Sequence, residues 1–298
     1  MTVFACAGCG APLTVPLSRV ALPAHARQYG SHVLLGPLLE PATYAVETPG
    51  GSIAVAPGDL RGTGVIPGRT GGDCFGITGP DGPNLACERC GAPVATRIDD
   101  CGWWQVTWLE PAAVRRVPGP EAPVLTWAEL RTARLPVPPV EDDCWSPLWT
   151  AAVAAALPGV LVRSGGSRVA VPRGLLAGTF GRALDALLPP GPRTRTLGLD
   201  RTADITLVPR HPQTGAHDDA AGAVPLEYDV WAYLALHREL PAAAERHREE
   251  PAPRLAWGAF EADGYVFRDA LRRIPDAGEP WLREIRERVE DRPLHYPF

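Results

Sequence analysis

The sequence of 298 residues contains no lysine, because all 29 of its basic residues are arginine. It also contains a single methionine, Met1. Without lysine, the chain has no amine that could form a Schiff base with a carbonyl substrate or with pyridoxal phosphate. It equally lacks the lysine of phosphate-binding loops and the lysine with which protein kinases hold ATP. These classes of site are therefore excluded from the chain.

Long hydrophobic runs are also missing, although 45% of the residues are hydrophobic. The longest run, at 150–158, is well short of the roughly 18 residues that a membrane-spanning helix needs. We expect Pro158 to end it, since proline breaks a helix interior. The first residues have neither the basic start nor the apolar stretch of a secretory signal peptide. We therefore expect a cytoplasmic protein with no membrane partner.

An excess of positive charge is missing as well, because 34 acidic residues outweigh the 29 arginines and the net charge is −5. Proteins that bind nucleic acids usually carry a basic surface. The composition therefore argues against a nucleic-acid partner, and an unidentified protein or small molecule is expected instead. The exclusive use of arginine, with 34 Pro and 31 Gly, is typical of a GC-rich bacterial genome.

One motif occurs twice in the chain. The pattern Cys-x-x-Cys-Gly-Ala-Pro begins at Cys6 and again at Cys87, so that Cys9 and Cys90 supply the second thiol of each pair. Two residues between the thiols let both sulfurs face one tetrahedral ion at about 2.3 Å. The glycine after each pair tolerates the positive φ of such a tight turn. The sequence thus predicts one structural zinc ion held by four thiolates, with separate dithiols or a redox-active pair as alternatives.

The two Cys-x-x-Cys-Gly turns resemble the knuckles of zinc-ribbon proteins. The segment between Cys9 and Cys87 is far longer than the insertion of a simple ribbon. Long β-rich insertions between knuckles are similar to those of the β-tent and methionine sulfoxide reductase B folds. The resemblance covers only the two short motifs. It implies a zinc-bearing β-sheet fold and carries over no catalytic residue.

The whole chain is predicted to be an α+β protein in three parts. These are a β-rich zinc-knuckle domain at 1–118, a proline-rich linker with a short helix at 119–141, and an α+β domain at 142–298. In the first domain, β-type runs lie at 31–35, 43–47, 52–56 and 102–109. The last of these places its alternate residues Trp104, Val106 and Trp108 on one face.

Helical periodicity and β-type runs alternate in the rest of the chain. Helices are expected at 126–134, 145–157, 175–188, 228–239 and 280–290. The runs 160–163 and 168–171 flank a Ser-Gly-Gly-Ser turn and predict a β-hairpin. A further strand is expected at 202–208.

Three cysteines lie outside the knuckles. The glycine-rich loop at 69–76 could present the thiol of Cys74 at a sharp turn, where Arg69 could lower its pKa and make it a nucleophile. The alternative is a glycine-rich turn around a small buried thiol. Cys101 and Cys144 each follow two aspartates, which raise the pKa of a thiol, so both are interpreted as structural. Cys101 could also substitute as a ligand at the neighbouring knuckle.

The loop at 211–219 gathers His211, His217, Asp218 and Asp219. These are metal-ligand residue types, although their spacing matches no helix-borne metal motif. The loop is therefore a candidate for a second metal or for a general base, with an ordinary solvated loop as the alternative.

Two further groups have both a functional and a structural interpretation. The arginines at 193, 195 and 201 could bind phosphate, but aspartates among them favour surface ion pairs. The tryptophans at 103, 104 and 108 could form a platform for a ligand, but packing is the ordinary role of large aromatic residues.

The leading hypothesis is a non-enzymatic binding or scaffold module with a structural zinc ion at Cys6, Cys9, Cys87 and Cys90. The enzyme alternatives are a thiol enzyme at Cys74 and a metal-assisted hydrolase at the 211–219 loop. The third alternative is a nucleic-acid-binding zinc-ribbon protein.

Overall fold

The computed structural model describes residues 1–30, 34–47, 51–72, 74, 76–141, 144–237, 259–275 and 278–292. The chain divides into two compact units. The first comprises Met1–Thr126 with Pro212–Gly215, and the second comprises Trp127–His211 with Ala216–Phe298. Strands dominate the first unit, whereas helices and a sheet make up the second, so the predicted α+β class is confirmed. The division lies inside the predicted linker and leaves the short helix of that linker in the second unit.

The first unit contains two sheets. Strands β1 (Thr2–Cys6) and β9 (Val114–Pro118) form an antiparallel pair. The second sheet is built from β2 (Ser18–Arg19), β3 (Thr43–Val46), β4 (Ile53–Val55), β5 (Thr63–Val65), β6 (Leu85–Cys87), β7 (Pro93–Ile98) and β8 (Val106–Leu109). Their order across the sheet is β2-β3-β4-β8-β7-β6-β5, and all neighbours are antiparallel except β2 and β3. One-turn 3-10 helices span Ala24–Arg27 and Pro57–Asp59.

The large sheet separates two hydrophobic cores. Alternation along β8 places Val106 and Trp108 in the smaller core, together with Trp104, as the sequence predicts. Leu109 points to the larger core, which also contains the thiols of Cys6 and Cys87. The predicted strands at 43–47 and 52–56 are confirmed as β3 and β4, and the strand predicted at 102–109 is confirmed over Val106–Leu109 as β8. Of the predicted strand at 31–35, residues 31–33 lie outside the described residues, and residues 34–35 are not in a strand.

The second unit is built on a four-stranded sheet in which every pair of neighbours is parallel. Its strands are β12 (Arg168–Ala170), β13 (Arg193–Gly198), β14 (Ile205–Arg210) and β15 (Ala223–Glu227), and a small separate ladder joins β10 (Val140–Glu141) to β11 (Cys144–Trp145). The helices in the described part of this unit are α1 (Trp127–Ala133), α2 (Pro147–Ser164), α3 (Arg182–Leu187), α4 (Tyr228–Leu236), α5 (Gly264–Arg272) and α6 (Pro280–Glu290). A π-helical segment, Ala177–Gly181, leads directly into α3, so the helix expected at 175–188 is confirmed with a wider turn inside it.

The expected stop at Pro158 and the expected hairpin at 160–171 are both wrong. Helix α2 continues through Pro158 to Ser164 and ends at Gly165, which adopts a left-handed conformation with φ of 58°. Leu157 and Leu161 on either side of the proline have no exposed surface. Their burial outweighs the roughly 3 kcal/mol that a proline costs inside a helix. The remaining half of the predicted hairpin, β12, pairs in parallel with β13.

Helix α2 is the core helix of the second unit. Its 18 residues are long and apolar enough for a membrane span by length and composition alone, but 61% of them are buried inside the unit. Gly159 allows the helix to approach the sheet closely, because a Cβ atom at this position would lie 3.0 Å from Cγ1 of Val224 in β15. The apolar character of α2 is therefore explained by packing on the sheet.

Candidate metal centre

The first knuckle follows directly from the end of β1. The N–H of Cys6 donates to the carbonyl of Ala11 at 2.8 Å, and the N–H of Gly10 donates back to the carbonyl of Cys6 at 2.9 Å. Gly10 has φ of 76°, the left-handed conformation that the sequence predicts for this position. The turn thus closes on itself and holds the Cys6 and Cys9 thiols on one side.

The second knuckle repeats this pattern at the end of β6. The N–H of Cys87 donates to the carbonyl of Ala92 at 2.9 Å, and the N–H of Gly91 donates to the carbonyl of Cys87 at 2.8 Å. Gly91 has φ of 74°. The identical motif therefore folds into the same hydrogen-bonded turn twice, at two distant places in the chain.

The two knuckles bring their four sulfurs together. The Sγ atoms of Cys6 and Cys90 are 3.6 Å apart, and so are those of Cys9 and Cys87. All four sulfurs lie within 4.8 Å of one another. A disulfide needs an S–S distance of about 2.05 Å. Four sulfurs at about 2.3 Å from a tetrahedral ion are spaced by about 3.8 Å, so the group has the dimensions of a metal site.

The electrostatics of the thiols fit the same interpretation. The N–H of Cys9 points at the sulfur of Cys6 and lowers the pKa of that thiol to about 7, against the opposing effect of burial. At Cys90 the N–H of Ala92 lowers the pKa of the thiol. Hydrogen bonds with the neighbouring thiols, led by that of Cys9, outweigh this and raise the pKa to about 12. A cation placed between the sulfurs would stabilise them as thiolates.

Burial differs between the first and second cysteine of each knuckle. Cys6 and Cys87 have no exposed surface, Cys9 is half-buried, and Cys90 is exposed. Each knuckle thus anchors one thiol in the core and holds the other toward the surface. The arrangement can bind one metal ion, and four protein ligands would leave it no open coordination position.

A second group of metal-ligating side chains was not predicted. It joins Cys74, Asp100 and Cys101, whose sulfur and carboxylate oxygen atoms lie within 4.8 Å of one another. The thiol of Cys74, burial, and the charge of Asp100 together raise the pKa of the Cys101 thiol to about 11, the direction that its acidic neighbours predict. Cys101 belongs to this group and not to the knuckles, so the alternative in which it substitutes as a knuckle ligand is wrong. In the described part of the chain, only this group and the knuckle cysteines unite three or more such ligands.

The loop at 69–76 is only partly described. Cys74 is exposed, while Asp73 and Phe75 lie outside the described residues. Gly72 and Gly76 allow this loop to lie against the turn that carries Cys101. The glycine-rich sequence predicts a sharp turn here, but it does not predict which segment the turn contacts. Cys144 is a half-buried residue of β11 and belongs to neither group.

The loop at 211–219 does not gather its histidines and aspartates into a metal site. His211 is buried, with its ring 5.0 Å from that of Trp127. His217 lies 3.6 Å from Asp219, whose side chain is almost fully exposed. The predicted second metal site in this loop is therefore not formed, because the side chains of His211 and His217 contact different neighbours.

The arginine and tryptophan groups have structural surroundings. The arginines form ion pairs, namely Arg193 with Asp185, Arg195 with Asp204, and Arg201 with Asp218. Trp104 donates from Nε1 to Oε1 of Gln28 at 3.0 Å, and Trp103 packs with its ring 4.9 Å from that of Tyr29. The carboxylates already neutralise the arginines, and the tryptophans pack within the first unit.

Comparison of the chain with protein-family models, with the curated proteins and with the solved structures gives no match in any of the three. The resemblance to zinc ribbons therefore rests on the two knuckles, and the function has to be argued from the geometry of this chain.

Proposed function

We propose that the first unit is a zinc-stabilised binding or scaffold module in which Cys6, Cys9, Cys87 and Cys90 hold one structural zinc ion. The observation that carries the proposal is the pair of 3.6 Å distances between sulfurs of opposite knuckles. Tetrahedral sets of four thiolates select zinc or iron among the common metals. Zinc suits a closed structural site, because it has neither redox chemistry nor a geometric preference that would strain the turns.

The proposed role of the ion is to join two distant parts of one small β-rich unit. Cys6 ends β1 and Cys87 ends β6, and these strands belong to different sheets. A metal bound to both ends fixes one sheet against the other, since its binding free energy becomes part of the folding free energy. A closed set of four thiolates offers no position to a substrate. Binding of a protein or small molecule is thus left to the rest of the unit.

The setting that we propose is the cytoplasm of a bacterium. Four thiols in one group must stay reduced to act as ligands, and reducing compartments favour this state. The net charge of −5 favours a partner other than nucleic acid.

A matched pair of variants of the full chain tests the proposal. Cys9→Ser removes a half-buried knuckle ligand, and Cys144→Ser removes a half-buried thiol that belongs to neither metal-ligating group. We expect Cys9→Ser to bind one zinc ion fewer per chain than wild type, as counted by native mass spectrometry. Cys144→Ser should keep the wild-type metal content.

Equal metal content in the two variants would refute the four-cysteine site. Iron bound in place of zinc would refute the choice of metal, and it would be detected as strong absorption at wavelengths longer than those at which the protein itself absorbs.

A further inference from the structure

The group of Cys74, Asp100 and Cys101 has no role in the proposed four-cysteine zinc site. It combines two soft thiol ligands with one carboxylate, and the three ligand atoms lie within 4.8 Å of one another. Ligand atoms of one tetrahedral metal ion are spaced by about 3.5–3.8 Å, which lies within this limit. Asp100 and Cys101 are buried, whereas Cys74 is exposed.

Glycines place the two halves of this group side by side. A Cβ atom at Gly72 would lie 2.3 Å from the carbonyl oxygen of Gly76 and 2.8 Å from Oδ2 of Asp100. A Cβ atom at Gly76 would lie 1.8 Å from the carbonyl oxygen of Asp99. Any other residue at either position would force the backbone apart, so the glycines on both sides of Cys74 permit the close approach.

Backbone hydrogen bonds then hold the two segments together. Ile77 and Asp99 form an antiparallel bridge, in which each N–H donates to the carbonyl of the other at 3.1 and 2.8 Å. The N–H of Thr78 donates to the carbonyl of Gly71 at 2.9 Å and closes the loop that carries Cys74. The position of Cys74 next to Cys101 is therefore built into the fold.

Backbone donors of three described residues orient the carboxylate of Asp100. Its Oδ2 accepts from the N–H of Cys74 at 3.2 Å, and its Oδ1 accepts from the N–H groups of Gly76 at 3.2 Å and Cys101 at 2.8 Å. Hydrogen bonds of this kind fix a metal-ligating carboxylate and are a regular part of metal sites.

A cavity of about 580 Å³ lies next to the group. Asp100 and Cys101 line it together with Thr70, Arg97, Asp99 and Gln105. Its size is that of a small-molecule site, and its polar side chains would suit a polar occupant. Arg97 and Asp99 form an ion pair on its wall, with Nη2 and Oδ2 2.5 Å apart.

We propose that Cys74, Asp100 and Cys101 form a second transition-metal site, which binds a zinc-class divalent ion with an exchangeable fourth position. Three protein ligands with one open position distinguish such a site from the closed set of four thiolates. Water, or an oxygen donor of a small polar ligand from the adjacent cavity, completes the tetrahedron. The ion displaces the thiol protons of Cys74 and Cys101 to solvent when it binds.

A disulfide between Cys74 and Cys101 is the competing use of the same two thiols. A disulfide has no need for a carboxylate held beside both sulfurs, whereas a metal ion uses it as the third ligand. The orientation of Asp100 by three donors therefore favours the ion.

The test uses the full chain, purified under reducing conditions and loaded with zinc alone. We expect native mass spectrometry to show one ion more per chain in wild type and in Cys144→Ser than in Cys74→Ser. Because Cys74 is exposed, its substitution should leave the far-ultraviolet circular dichroism unchanged. Cys101→Ala, which removes a second ligand, should lose the same single ion.

Cobalt(II) in place of zinc provides a readout that separates the two sites. The spectrum of Cys74→Ser reports cobalt in the knuckle site alone, and the difference between wild type and Cys74→Ser reports cobalt in the second site. Both should show tetrahedral cobalt. Sulfur-to-metal charge transfer should be weaker in the difference spectrum, because the second site has two thiolates and the knuckle site has four. Equal ion counts in wild type and Cys74→Ser would overturn this proposal, as would a Cys74–Cys101 disulfide that persists under the reducing conditions. Neither result would affect the knuckle site, which is lost only in Cys9→Ser.

Discussion

The second unit buries one continuous hydrophobic core between its parallel sheet and its helices, whereas the first unit buries two smaller cores and includes two thiols in the larger one. Thin β-rich units have little apolar area to bury, and a metal ion commonly supplies the missing stability. The described part of the second unit contains no group of three metal-ligating side chains. We therefore expect the stability of the first unit to depend on metal coordination and that of the second unit to depend on packing.

Removing the metal should produce the largest effect, and it should be confined to the first unit. Structural zinc contributes roughly 10–16 kcal/mol to the folding of small zinc domains. A chelator should therefore abolish hydrogen-exchange protection at β1 and β6, which end in Cys6 and Cys87. Peptides from α2 should keep their protection, since α2 lies in the core of the other unit. Equal loss of protection in both units would show that they do not differ in this way.

The reverse experiment weakens packing in the second unit. Leu161 has no exposed surface, so Leu161→Ala should lower the free energy of unfolding of this unit by about 2–5 kcal/mol. Val162, its neighbour on the exposed side of α2, provides the control, and Val162→Ala should change stability by less than about 1 kcal/mol. Urea titration followed by circular dichroism measures both, and the zinc content should stay constant. A loss of zinc from Leu161→Ala would contradict the separation of the two sources of stability.

A smaller effect is expected from pH through His25 in the first unit. Burial lowers the pKa of His25 to about 4, against a hydrogen bond to the carbonyl of Leu38 that raises it. The unfolded chain therefore takes up a proton near the ordinary pKa of about 6.5, before the folded chain does. Stability is thus lost as the pH falls from about 6.5 to about 4, and not further below that range.

The variant His25→Gln isolates this contribution from the acid sensitivity of the thiolate ligands, which both proteins share. Between about pH 7 and about pH 5, wild type should lose about 2 kcal/mol more stability than His25→Gln. Urea titrations at the two pH values measure the difference. Parallel losses in the two proteins would show that His25 is not the group responsible.

The knuckles could be predicted from the sequence because their determinants are local. The spacing of Cys6 and Cys9, and the glycine that follows, specify one turn regardless of the rest of the chain. The second copy at Cys87 then implies that four thiols meet. The strands at 43–46, 53–55 and 106–109 were predictable for the same reason, since alternation and turn residues act over a few positions.

The features that sequence reasoning missed depend on tertiary contacts. Pro158 is a helix breaker by propensity, but the buried leucines on either side of it keep α2 intact. The 168–170 run contains the residues of a strand, but its parallel partner β13 lies beyond the intervening helix. The group of Cys74 and Cys101 forms because two loops approach each other closely, and no periodic pattern in the sequence predicts that contact.

Native mass spectrometry of the Cys74→Ser chain tests most directly whether the two knuckles share one zinc ion. This variant removes a ligand of the second group and leaves Cys6, Cys9, Cys87 and Cys90 in place. We predict one zinc ion per chain, which is lost when Cys9→Ser is added. A Cys74→Ser chain that binds no zinc, or whose zinc survives the addition of Cys9→Ser, would contradict the claim.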